Sequence, residues 1–154
     1  MTPAVAMLGV DVGTVRIGIA ACGAGVSLAM PVETVPRGDG DLARIATIAQ
    51  EREVGVIFVG DPITLAGEVG PAAVAARQFA TELAAAVPTA EVRMLDERLS
   101  TAQSARSLAA AGRDTRQARN VVDQAAAAAI LQNAVDAESE TGRLAGYPLS
   151  KSEK

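Results

Sequence analysis

The sequence predicts an α/β domain with a mixed sheet of five strands flanked by helices. Residues 6–35 hold three short β-branched or apolar runs separated by turn residues, which read as meandering strands. Val54-Gly-Val-Ile-Phe-Val59 is a continuous apolar run of strand length, the pattern of a strand covered on both faces. Beyond it, extended runs alternate with segments of helical period, which adds parallel pairing to an antiparallel start.

In order, Ala6–Val12 and Ile17–Cys22 flank the turn residues Gly13 and Thr14 and predict a hairpin. Val26–Val35 predicts a third strand, and Pro31 within it favours an edge or bulged position because it lacks an N–H for the ladder. After the turn Arg37-Gly-Asp-Gly40, the apolar positions Leu42, Ile45, Ile48 and Ala49 recur at helical spacing up to about Glu53. The run 54–59 ends in Gly60-Asp61-Pro62 and a glycine-bearing loop, whose place beyond a buried strand suits the lip of an active site. Pro71 suits the first turn of a helix running to about Val87, and Glu91–Leu95 is the fifth strand, opening into Asp96-Glu97-Arg98. Ser100 would cap a helix from Thr101 to Ala111, stopped by Gly112. A last helix starts between Thr115 and Asn120 and runs to about Glu138. Residues 1–138 are therefore expected to form a single domain, and 139–154, polar and broken by Gly and Pro, a mobile tail.

Composition excludes several chemistries. With no histidine there is no Ser-His-Asp triad, no imidazole base and no zinc site of the histidine type. Cys22 is the single cysteine, so no internal disulfide forms, and its expected role is that of a small apolar filler. No apolar run is long enough to cross a bilayer and no basic-then-apolar leader opens the chain, so a cytoplasmic protein with no membrane partner is expected. The net charge of −4 is unevenly spread: Arg98, Arg106, Arg113, Arg116 and Arg119 stand against Asp114 alone, giving +4 there and −8 elsewhere. With Phe58, Phe79 and Tyr147 as the only aromatics, a base-stacking platform is excluded, and arginines on phosphates are the available means of holding a polynucleotide.

Carboxylates are left to carry any hydrolysis. Asp11 sits within or at the end of the first strand, where alternation sets it on one face with Gly9 and Gly13, and the missing side chains leave room above it for metal and phosphate. Asp96 or Glu97 stands where the fifth strand opens into a loop. Asp123 lies on one stripe of the last helix with Ala127, Ile130 and Ala134. Grouped carboxylates removed from water raise one another's pKa values, and a divalent cation resolves that conflict. Oxygen ligands suit Mg2+ or Mn2+, and a pair of such ions suits phosphodiester hydrolysis without histidine. Each acid also has a plainer reading. Asp123 would favour the amino end of its helix through the dipole, Asp96 and Glu97 would be ordinary loop acids, and Arg113, Arg116 and Arg119 a solvated face. Asp11 has the weakest plain reading, since a lone acid in a central strand is either paired or functional.

GVDVGTVRIGIA, VGDP with its glycine-bearing loop, DERLST and RNVVDQAAAAAIL, in that order, resemble the YqgF family of pre-16S rRNA nucleases and Holliday-junction-resolvase-like proteins, over about residues 5–135. The resemblance implies an RNase H-like fold, catalytic and metal-binding roles for Asp11, Glu97 and Asp123, and Mg2+ or Mn2+ as cofactor. It gives Asp96, Arg16 and Arg98 accessory places beside those acids, while Arg106, Arg113, Arg116 and Arg119 form the expected substrate-binding strip. Implied partners are pre-rRNA within a pre-ribosomal particle or, alternatively, branched DNA, which needs two active sites and hence a homodimer. Two departures stand out: DPITLAG at 61–67 replaces the family's usual LPLNMDG, so Asp61 stands for a leucine, and Gln124 follows Asp123. Two rival classes remain. A non-catalytic RNA- or ribosome-associated module would keep the arginine strip without hydrolysis. An actin-like ATP-binding lobe would use the Asp-x-Gly-Thr turn for phosphate, but needs a second lobe, which a chain of 154 residues supplies only by forming the cleft as a dimer.

Overall fold

A computed structural model of the chain describes residues 5–62, 67, 69–96 and 116–149, with backbone alone over 116–121. The elements run β1 (Ala6–Val12), β2 (Arg16–Cys22), β3 (Met30–Pro36), α1 (Asp41–Glu51), β4 (Val54–Asp61), α2 (Pro71–Ala86), β5 (Glu91–Asp96), α3 (Arg116–Thr141) and β6 (Tyr147–Pro148). The sheet has six strands in the order β3-β2-β1-β4-β5-β6. β1 pairs antiparallel with β2 and parallel with β4, β4 pairs parallel with β5, and β6 returns antiparallel on β5. The sheet is mixed, as predicted.

Local chemistry accounts for the elements. Pro71 opens α2 at its first turn, where a missing N–H costs nothing, and Gly40 in the left-handed region (φ 91) starts α1. β3 is an edge strand, and its register with β2 shifts between Ile19 and Ala20, so that Val32 is skipped beside Pro31, which has no N–H to donate, before the pairing resumes. The predicted third strand began at Val26, but pairing starts only at Met30. Ser27 and Ala29 are instead held to α3 by Gln132, whose side-chain amide donates to the Ser27 carbonyl and whose Oε1 accepts from the Ala29 N–H.

Two corrections concern the carboxyl-terminal part. The last helix runs to Thr141 rather than Glu138, and Tyr147–Pro148, expected in a tail, supply a sixth strand to a sheet expected to have five. Alternation signals cannot disclose a strand of two residues. The expected helix from Thr101 to Ala111 lies outside the described residues.

Alternation along the strands divides the core. Leu8, Val10, Ile17, Ile19, Ile57, Val59 and Met94 face α1 and α2, while Met7, Ala20, Phe58 and Leu95 face the Ala126–Val135 stripe of α3. β4 is thus covered on both sides, as its unbroken apolar run required. Cys22 is buried against α3, and burial pushes its thiol pKa up, consistent with an inert filler. Phe58, with no exposed surface, is the largest side chain facing α3. Phe58→Ala is expected to cost about 3–5 kcal/mol by urea denaturation, from lost burial and the cavity left behind.

Candidate active site

β1, β4 and β5 run in the same direction, so their carboxyl ends, with Asp11, Asp61 and Asp96, lie along one edge of the sheet. β1 is also where the strand order reverses, with β2 and β3 on one side and β4 and β5 on the other. β1 leaves by a hairpin, α1 and α2 both cover one face of the sheet, and α3 packs on the other face at this end. Asp11 sits there, 3% exposed and paired in register with Gly18 of β2.

Gly18 explains how a second acid comes near. A Cβ at Gly18 would overlap the backbone carbonyl of Asp123, so α3 rests directly on the strand at this residue. Asp123 therefore lies over the immediate neighbour of Asp11, on the same face of the sheet. Arg16, two residues before Gly18 and on its face, donates from Nε to Asp123 Oδ2 at 2.7 Å. Gln124 donates from Nε2 to Thr34 Oγ1 at 3.1 Å, anchoring the same turn of α3 to β3.

The glycines expected to keep space open do something else. A Cβ at Gly9 would lie 2.7 Å from both the Ala127 carbonyl and Leu131 Cβ, so the space above Gly9 is filled by α3. A Cβ at Gly13 would lie 2.7 Å from the Arg16 carbonyl, which accepts the Gly13 N–H at 2.9 Å across the hairpin turn. Close packing and a tight turn explain both positions, and the glycine that matters most for the site, Gly18, was not singled out by the sequence.

Arg37 braces the turn that follows Asp11 and also escaped the sequence reading. Its backbone N–H donates to the Val15 carbonyl at 2.9 Å and its Nη1 to the Gly13 carbonyl at 2.9 Å. The guanidinium lies 5.2 Å from the centroid of Phe79 and pairs with Asp41 at 3.4 Å. An arginine in a turn gives no signal of such a role, because both carbonyls it meets belong to backbone distant in sequence.

Asp61 and Asp96 are register partners at the ends of β4 and β5. Alternation sets both on the α2 side, with Val59 and Met94, away from the face that carries Asp123. Asp61 has no exposed surface and accepts from Arg77 Nη2 at 2.7 Å, from Arg77 Nε at 3.2 Å and from the Tyr147 hydroxyl. It is thus a buried, paired carboxylate rather than part of an open lip.

Of the other residues singled out, Glu97, Arg98, Arg106 and Arg113 lie outside the described residues, and Arg116 and Arg119 are placed only as backbone in the first turn of α3. Among the described residues no three carboxylates or thiols gather as a metal-binding group. Asp11 and Asp123 nevertheless offer hard oxygen donors on one face, the donor type that suits Mg2+ or Mn2+. No helix among the described residues is long and apolar enough to cross a membrane.

Comparison with known proteins bears on the family and the fold. The RuvX family, described as Holliday junction resolvase, matches residues 5–137. A protein of Nocardia farcinica named "Putative pre-16S rRNA nuclease" is 46% identical over 147 residues, covering 90% of this chain and 82% of its own. One of the same name from a Nocardioides species is 47% identical over 144 residues, covering 90% and 92%. Among solved structures, Thermus thermophilus RuvC in complex with a Holliday junction substrate superposes with a TM-score of 0.54 at 18% identity, covering 94% of this chain and 99% of that one. At that identity the likeness concerns the fold, an RNase H-like sheet flanked by helices. A match across nearly the whole domain, with relatives this similar over nine tenths of the chain, identifies the lineage: the chain belongs to the RuvX family, the YqgF family that its motifs resemble.

Proposed function

We propose that this protein is a cytoplasmic, metal-dependent endonuclease that hydrolyses phosphodiester bonds in precursor 16S rRNA, maturing its 5′ end during ribosome assembly. The observation that carries the proposal is Asp11. It is a carboxylate buried at the carboxyl end of β1, beside a glycine over which α3 lays Asp123. Carboxylate oxygens from two residues on one face are the donor type that suits a divalent cation such as Mg2+ or Mn2+.

Asp11, Asp123 and Glu97 would hold Mg2+ or Mn2+, which when bound offsets charge on the scissile phosphate and makes water a better nucleophile. The chain's own residues set the geometry. Burial in β1 fixes the Asp11 carboxylate. Arg16 orients Asp123 through its 2.7 Å bond and balances its charge before substrate arrives. Arg37 holds the turn after Asp11 to the carbonyls of Gly13 and Val15, so the hairpin does not yield when a phosphate backbone presses on it. Asp96 and Arg98 flank Glu97 in sequence and would support its placement. Arg106, Arg113, Arg116 and Arg119 would bind phosphates. The names carried by the relatives support pre-rRNA as substrate, and the pre-ribosomal particle is the setting in which it would be met.

The family's description favours one second reading, a resolvase cutting four-way DNA junctions as a homodimer. Side-by-side cleavage of precursor 16S rRNA and a synthetic junction in Mg2+ and in Mn2+, with the mass in solution measured, separates the two. A monomer that cuts only RNA removes the resolvase, and a dimer that cuts only junctions removes the rRNA nuclease. Absence of cleavage on either substrate, in either metal, removes both.

The arginine strip has its own test. Phosphate contacts release counterions, so binding should weaken steeply with salt. Replacing Arg113, Arg116 and Arg119 together by alanine is expected to lower the slope of log K against log salt by about 2 on single-stranded RNA. An unchanged slope returns these residues to a solvated face.

A further inference from the structure

We propose that Asp61, Arg77 and Tyr147 form a latch that positions the exit of β5, making the carboxyl-terminal segment a working part of the active site. The inference rests on the nuclease reading above for its functional consequence, and on contacts within the fold for the latch itself.

Asp61 is the starting observation. It is a fully buried carboxylate, on the face away from Asp123, and no step assigned above uses it. A buried carboxylate requires compensation, and this one receives it from two elements, Arg77 of α2 and Tyr147 of β6. Asp61 also stands opposite Asp96 in the ladder, while Tyr147 stands opposite Met94. The three side chains therefore join β4, α2 and β6 around the last residues of β5, immediately before Glu97.

A strand of two residues cannot hold itself on an edge through its ladder alone. Here side chains and a glycine supply the rest. Arg93 of β5 donates from Nε to the Ala145 carbonyl at 2.7 Å and from Nη2 to the Gly146 carbonyl at 3.0 Å. Gly146 takes φ 70, and a Cβ there would overlap the Met94 carbonyl, so the segment lies as close to β5 as a backbone can. The Tyr147 ring is partly exposed and its hydroxyl reaches inward to Asp61. Burial first, and then Asp61, push the phenol pKa up to about 12, so the hydroxyl stays a donor throughout the working range. Asp61 likewise raises the pKa of Arg77, which stays charged.

Tyr147 is the sole tyrosine in a chain without tryptophan, so the latch can be observed directly. A phenol bonded to a carboxylate is quenched, and Asp61→Asn is expected to raise tyrosine emission. Tyr147→Phe removes only the hydroxyl. It is expected to speed amide hydrogen exchange at residues 93–96 and to lower kcat at least about tenfold, with KM within about twofold, because misplacing a catalytic group by a fraction of an ångström costs turnover rather than binding. If Tyr147→Phe matches the wild type in both exchange and kcat, the latch is overturned. If exchange rises while kcat is unchanged, the segment is structural only and the positioning role is overturned. Should the wild type cleave nothing, the nuclease reading fails, and the positioning role fails with it. Exchange and emission then still decide whether the contacts form.

Discussion

Asp11→Asn is expected to abolish cleavage, with a fall in kcat of at least about a thousandfold, while leaving the fold in place. The substitution is isosteric and trades a charge for an amide at a site that is 3% exposed. Neutralising it removes a donor that acts on developing charge in a water-poor setting, where such contributions reach several kcal/mol. The isosteric side chain keeps the packing of the site, so the chain should still fold. Single-turnover cleavage in Mg2+ and in Mn2+, with thermal unfolding of the same preparations, is the measurement. Wild-type turnover by Asp11→Asn would end the nuclease reading at this residue.

Gly18→Val is expected to destabilise the protein by about 3 kcal/mol and to lower Tm by about 6–12 °C. The reason is steric. The added Cβ would occupy the place of the Asp123 carbonyl, which belongs to helix backbone and cannot rotate aside as a side chain would. α3 must therefore lift from β2, taking Asp123 away from Arg16 and from the neighbourhood of Asp11. Activity should fall further than the loss of folded protein accounts for. Gly23→Ala serves as the control, because a Cβ there meets only Val26 Cγ2 at an ordinary 3.7 Å, and its effect should stay within about 0.5 kcal/mol. Equal melting of the two variants would mean that α3 tolerates displacement at this contact.

Much of the fold was legible because each signal is local. The hairpin follows from two apolar runs around Gly13, the edge position of β3 from Pro31, and the burial of β4 from an unbroken apolar run. The helix beginning at Pro71 follows from proline's fixed φ. The site was legible as residue types rather than as a geometry. Asp11 stood out because an acid interrupts a buried strand. Asp123 stood out on the apolar stripe of its helix and in a motif, and Asp96 gave no sign of which face it takes.

The sequence by itself determined the α/β class, the opening hairpin, the covered run of β4, the exclusion of histidine chemistry and of an internal disulfide, and Asp11 as the residue to test first. Those conclusions depend on composition and on periods of two and 3.6 residues, which neighbouring residues carry. Tertiary structure alone decided that Gly9 and Gly18 make room for α3, that Arg16 reaches Asp123 across 107 residues, and that Tyr147 returns across 86 residues to Asp61. Contacts between distant segments depend on which faces meet and how closely, and a glycine, an arginine or a tyrosine looks the same in sequence whether or not a partner waits across the core.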